Sequence, residues 1–81
     1  MKRQLTDTAL KSYLAAPAAV QKAFDKQTAL LLENLRHPSL RAKKYSATED
    51  KWQARVNQSW RFYFRIVGES YIITDIIPRP K

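Results

Sequence analysis

The residues of this chain whose types and spacing could do chemistry lie where arginine and tyrosine alternate with large apolar side chains. Arg61, Tyr63 and Arg65 interleave with Trp60, Phe62, Phe64 and Ile66, and just upstream Gln53 and Arg55 interleave with Trp52, Ala54 and Val56. In an extended chain residues two apart share a side. The pattern therefore puts Gln53, Arg55, Arg61, Tyr63 and Arg65 on one open surface, with the apolar set buried behind it. A guanidinium forks onto phosphate oxygens in a bidentate way, and an aromatic ring offers a face on which a base can stack. That chemistry is the gripping of a phosphodiester backbone. A plainer reading is that these are solvated strand residues that protect an exposed sheet face from aggregating. The preponderance of arginine over lysine at the strand positions favours the phosphate reading.

Other polar residues make weaker claims. Lys43, Lys44 and Lys51 read as peripheral charges that steer a polyanion toward the arginines. His37, the single histidine, stands beside Pro38 at a predicted helix end, where complementing the helix dipole is a commoner role than general base. Tyr13, Tyr45 and Tyr71 read as core or rim aromatics, and Trp52 and Trp60 as packing. Asp75, set among isoleucines, is either a paired buried charge or a group pointing into the arginine face. Glu49-Asp50 belongs to a turn. The sequence contains no carboxylate pair, phosphate-cradling glycine loop or metal-ligand cluster, so neither metal nor cofactor is expected.

The overall balance agrees. Fifteen Lys plus Arg against seven Asp plus Glu leave a net charge of +8 on 81 residues. Between Arg36 and Arg65 there are eight basic residues against Glu49 and Asp50 alone. A positive excess concentrated mid-chain points to a polyanionic partner, because each cation set against a phosphate releases condensed counterions; an acidic protein would be drawn to the same patch. The absence of cysteine excludes a disulfide framework and a thiolate zinc site. The length leaves room for one domain, residues 1–81. The charged start Met1-Lys2-Arg3 lacks the apolar run of a signal peptide and no stretch approaches a membrane span, so a cytoplasmic protein with no membrane partner is expected.

The elements that must position these residues follow from periodicity. Thr6 and Asp7 are good N-cap residues, and Leu10, Tyr13 and Leu14 at i, i+3, i+4 predict a short helix over about 7–15 with one apolar stripe. Pro17 ends it and suits the first position of a second helix. Val20, Phe24, Leu31 and Leu35 recur at helical spacing, widened by Leu30 and Leu32, until Asn34 and His37-Pro38 close the segment. The short connection makes the pair a helical hairpin, about 7–36. Beyond Pro38 the period becomes two. Leu40–Tyr45 reads as a basic strand, 46–50 as a polar turn, and Trp52–Val56, Trp60–Val67 and Tyr71–Ile77 as strands, with the single glycine, Gly68, in the last hairpin turn. Gln4-Leu5 could belong to a brief edge strand. The fold class expected is α+β: an N-terminal helical hairpin packed on one face of a three- to four-stranded, mainly antiparallel sheet spanning about 40–77.

Helix, helix, then a meander containing Trp52-Gln-Ala-Arg-Val56, Trp60-Arg-Phe-Tyr-Phe-Arg-Ile66 and Tyr71-Ile-Ile-Thr-Asp-Ile-Ile-Pro-Arg79 resembles the RelE/ParE superfamily of bacterial toxin-antitoxin toxins. The joining segment Arg36-His-Pro-Ser-Leu-Arg-Ala-Lys-Lys-Tyr45 is similar too. The resemblance implies a toxin held inactive by a cognate antitoxin protein that wraps around it. Its RelE-like branch implies a ribosome-dependent endoribonuclease that cuts mRNA and stops translation. Residue by residue, it implies that Arg61 and Arg79 contact the scissile phosphate and Arg55 orients the backbone. Lys43, Lys44, Lys51, Gln53, Tyr63, Arg65 and Lys81 would then meet RNA and ribosome. Gln53 stands where RelE-like nucleases often carry a basic residue, and the sequence stops at Lys81, short of the C-terminal tyrosine of many members. The ParE-like branch, which poisons DNA gyrase without nuclease chemistry, and a degenerate homologue that only binds antitoxin are the alternatives.

Overall fold

Thr6 begins the first helix. Its hydroxyl accepts the Ala9 amide at 3.1 Å, while its own amide reaches the Ile73 carbonyl at 3.0 Å. The computed structural model that shows this describes residues 1–46, 48 and 50–78. Strand β1 (Lys2–Leu5) leads into α1 (Asp7–Ala15) and α2 (Ala18–Glu33), followed by a 3-10 turn over Pro38–Leu40. Strands β2 (Lys43–Ser46), β3 (Lys51–Arg55), β4 (Trp60–Val67) and β5 (Ser70–Pro78) complete the domain. The α+β class and the two-helix layer are as expected. The sheet has five strands rather than three or four, in the order β1-β5-β4-β3-β2, with β1 parallel to β5 and every other pairing antiparallel. The extra strand is the N-terminal edge, whose Lys-Arg-Gln start lacks the apolar signal that marks the inner strands.

Because Thr6 ties the helix start to β5, α1 turns Ala9 onto the sheet, fully buried. The expected stripe is therefore displaced: Leu10 and Leu14 are 47% and 67% exposed, and of the three only Tyr13 packs against the core. The Tyr13 hydroxyl donates to Asp25 at 2.9 Å, and the Gln21 amide donates to the Tyr13 carbonyl at 2.7 Å, which hold the two helices together. Pro17 sits just outside α2, as its cap, rather than as its first residue. Val20, Phe24 and Leu31 are buried as their spacing predicts, but Gln27 and Thr28 are buried with them. Thr28 returns its hydroxyl to the Phe24 carbonyl at 3.0 Å and accepts Arg3 at 2.9 Å.

The core lies between these helices and one sheet face. Phe24 meets Phe62 edge-on at 5.4 Å between centroids, and Phe64, Tyr71, Ile73 and Ile76 extend the layer. Leu40, expected to open a strand, instead ends the 3-10 turn with its side chain wholly buried. Arg41 then takes a left-handed conformation, φ 47°, that reverses the chain before β2. His37 caps this turn, its Nδ1 accepting the Ser39 amide at 3.2 Å, rather than closing α2.

The alternation of β5 is interrupted once. Tyr63 lies opposite Asp75 and Phe64 opposite Ile73, so Thr74 is an extra residue, a β-bulge whose hydroxyl reaches the Tyr63 carbonyl at 3.3 Å. A strand of strict period two would put Ile73, Asp75 and Ile77 on one side. The inserted residue resets the phase, so that Tyr71, Ile73 and Ile76 all enter the core while Asp75 joins the opposite face.

Candidate nucleic-acid interface

The face away from the helices is set by the ladder register. One row across it reads Arg55, Arg61, Ile77; the next Lys43, Gln53, Tyr63, Asp75; the third Lys51, Arg65, Ile72. The convergence expected of Gln53, Arg55, Arg61, Tyr63 and Arg65 is thus realised, and Lys43 and Lys51 share the face. Lys44 does not: it pairs with Trp52 on the helix side and makes an ion pair with Asp50 at 3.3 Å. Tyr45, expected in the core or its rim, is 62% exposed on the open face and stands edge-on to Tyr63 at 5.9 Å. Lys51 holds its ammonium 5.3 Å from the Tyr63 ring centroid. Arg79 and Lys81 lie outside the described residues.

The arginines are held by the β3–β4 connection. The Asn57 side chain accepts the amides of Ser59 and Trp60 at 2.8 and 2.9 Å, folding 57–60 into a tight turn. That turn presents the Asn57 carbonyl to both guanidiniums: Arg55 Nε donates to it at 3.3 Å and Arg61 Nη1 at 2.9 Å, and Arg61 also reaches the Trp60 carbonyl at 3.0 Å. Two guanidiniums thus converge on one backbone carbonyl. Arg41, Gln58 and Ser59 complete a depression of about 430 Å³ around them, and none of its described lining residues is acidic. From the helix side, the buried Gln27 amide donates to the Arg55 carbonyl at 2.8 Å and the Ser39 carbonyl at 3.1 Å.

Arg41 is a site residue that sequence reasoning missed. It falls within the basic strand expected over Leu40–Tyr45, and only the left-handed turn after Leu40 delivers it to this depression. His37-Pro38 was the available signal of a tight turn there. Asp75 is also placed: with Lys51, Arg65 and Thr74 it lines a second depression, of about 410 Å³, on the same face. Among the described residues no group of three or more histidines and carboxylates is arranged to hold a metal ion, and no helix is long and apolar enough to cross a membrane. Arginine remains protonated throughout the accessible pH range, so the first depression can bind and polarise a phosphate, and its described lining residues include no carboxylate or imidazole to take a proton.

Neither a protein-family model nor a curated protein matches the sequence. Solved structures do match the fold. A YoeB/ParE toxin from Agrobacterium tumefaciens superposes with a TM-score of 0.82 at 13% identity, covering 99% of this chain and 100% of that one. The archaeal RelE of a RelE-RelB complex from Pyrococcus horikoshii gives 0.81 at 18% identity over 99% and 96% of the two chains. The isolated E. coli RelE toxin gives 0.79 at 14% identity over 99% and 85%. The chain has the fold these toxins share.

Proposed function

We propose that this chain is the toxin of a toxin-antitoxin module, acting in the cytoplasm as a RelE-like endoribonuclease on mRNA in the ribosome. The observation that carries the reading is the convergence of Arg55 and Arg61 on the Asn57 carbonyl, beside Arg41, in one depression of the open face. Cleavage of RNA through its own 2′-hydroxyl builds negative charge on a pentavalent phosphorus. Preorganised guanidiniums stabilise that charge where it develops. Arg61 contacts the scissile phosphate, Arg55 and Arg41 hold the backbone, and Arg79 is assigned to the same phosphate by the resemblance. Lys43, Lys51, Tyr63 and Arg65 extend the RNA track along the open face, and Lys44, on the other side of the sheet, is left out of it. With no carboxylate or imidazole among the described lining residues, the rate comes mainly from the positioning of RNA that the ribosome already grips. The solved RelE-RelB complex among the structural matches supports a cognate antitoxin as the partner that covers this surface.

The same lack of a proton acceptor among the described lining residues favours a second reading, a ParE-like toxin whose basic face binds DNA gyrase. Primer extension on transcripts after induced expression separates the two. Codon-phased cuts that disappear in Arg61→Ala are the expected result. Intact transcripts accompanied by gyrase-dependent DNA breaks would replace the first reading with the second, and intact transcripts without breaks would leave an antitoxin-binding homologue.

A further inference from the structure

The second depression is the less expected feature of the open face. It sets a carboxylate, Asp75, beside two cations, Lys51 and Arg65, and a hydroxyl, Thr74. Asp75 is the one acidic residue on any of the five strands, and it reaches this face because the bulge at Thr74 shifts the phase of β5. Among the described residues no ion pair joins it to Lys51 or Arg65. Lys51 is instead drawn over the Tyr63 ring. A carboxylate kept apart from neighbouring cations presents separate acceptor and donor edges to a third party. Asp75 lies in the Tyr63 row, next to the row of Arg55 and Arg61, and Lys51 and Arg65 lie one row further from those arginines. Arg61 and Arg65, four residues apart on β4, are separated by about 13 Å along the strand, room for an extended nucleotide whose phosphate lies at one end and whose neighbouring base lies at the other.

Resting on the RNA-binding reading above, we infer that the Lys51–Arg65–Thr74–Asp75 depression is a base-recognition subsite for guanine and that Asp75 is its specificity-determining residue. Guanine offers two adjacent donors, N1–H and the exocyclic N2 amine, which suit the two oxygens of one carboxylate, and it carries O6 and N7 acceptors for the cations. Uracil places a carbonyl where the carboxylate would lie, and adenine has one amine and no ring N–H on that edge. Selectivity comes chiefly from the cost of leaving the carboxylate without its donors.

The test is fluorescence anisotropy with the full chain and labelled single-stranded hexaribonucleotides at fixed salt: all-uridine, or uridine with one central guanosine or one central adenosine. The guanosine oligomer should bind about tenfold tighter than the other two, the scale of one good bidentate base contact. Asp75→Asn should abolish that preference and favour adenosine, since a carboxamide pairs with the adenine edge, while all-uridine binding persists. Thermal melting of Asp75→Asn confirms that the variant is folded, and saturable chemical-shift changes near Asp75 on adding guanosine monophosphate give an independent readout in the parent chain. Equal affinity for the three oligomers, or a guanosine preference that survives Asp75→Asn, overturns the subsite. Uncut transcripts in cells with the guanosine preference intact would overturn the nuclease reading alone, and absence of binding to every oligomer would overturn both.

Discussion

Gln27→Met removes the side chain that ties α2 to the rim of the arginine depression. Gln27 is 7% exposed, and its amide nitrogen donates to the carbonyls of Ser39 at 3.1 Å and Arg55 at 2.8 Å. Methionine has nearly the same length and volume, so packing is largely kept; the main losses are those two hydrogen bonds, with the long one that the Ser39 hydroxyl donates to Gln27 Oε1 at 3.5 Å adding little. Each contributes about 1 kcal/mol net, more if the abandoned carbonyl stays out of reach of water. The expected cost is therefore about 2 kcal/mol. In a domain of this size that lowers Tm by about 8 to 16 °C. Urea unfolding should show a lower midpoint with an unchanged slope, because the surface exposed on unfolding is the same. Since Arg55 hangs from the strand that Gln27 holds, affinity for single-stranded RNA should also fall. A midpoint shift worth less than about 0.5 kcal/mol, the range of an ordinary surface substitution, would refute the view that this glutamine braces the site.

Other outcomes follow from single features. Gly68 has φ +59° with nothing within 4 Å of the position a Cβ would take. Gly68→Ala should therefore cost about 1 kcal/mol in urea unfolding, from left-handed backbone strain alone, with RNA affinity unchanged. The hydrogen bond to Asp25, then partial burial and the nearby carboxylate charge, raise the Tyr13 pKa above its ordinary 10.0. A pKa higher in the folded than in the unfolded state stabilises fully below about pH 10 and loses that contribution as pH rises through the folded value. Alkaline melting curves should thus decline less steeply in Tyr13→Phe than in the parent. Replacing Arg55 or Arg61 by Ala should reduce the slope of log affinity against log salt by roughly 0.7 each on single-stranded RNA, whereas Lys44→Ala, on the opposite face, should leave it unaltered.

What could be read from the sequence was whatever strict periodicity dictates. The alternation of Trp60 to Val67 placed Arg61, Tyr63 and Arg65 on the open face and Phe62 and Phe64 in the core, as the register shows. Periodicity fails where a tertiary hydrogen bond or an inserted residue changes the phase. The tie from Thr6 to β5 rotated α1 away from Leu10 and Leu14 and onto Ala9, and a pattern of apolar residues carries no record of such a tie. The Thr74 bulge determined the side of Asp75, which alternation alone left open. Arg41 was out of reach for a third reason: a non-glycine residue at φ 47° is disfavoured locally and is held there by Leu40, buried in the core just before it. Gln27 and Thr28 were hidden among apolar neighbours because their value lies in distant partners, a β3 carbonyl and an N-terminal guanidinium.

The strand order has a consequence for how the chain comes to be folded at all. β5, the last described strand to be synthesised, lies inside the sheet, where it pairs with β4 on one side and with β1 on the other, joining Lys2 to Ser70 and Leu5 to Ile73. While the chain is still being made, the β2–β4 meander can assemble from near neighbours, but β1 has no neighbour to pair with, and the start of α1 has no Ile73 carbonyl to hold it. Closing so long a loop is entropically costly and slow. Phe24 can already meet Phe62 of β4, but β1 and the start of α1 must wait until Ser70–Pro78 arrives, so elements that precede the whole meander in the chain are among the last to find their place.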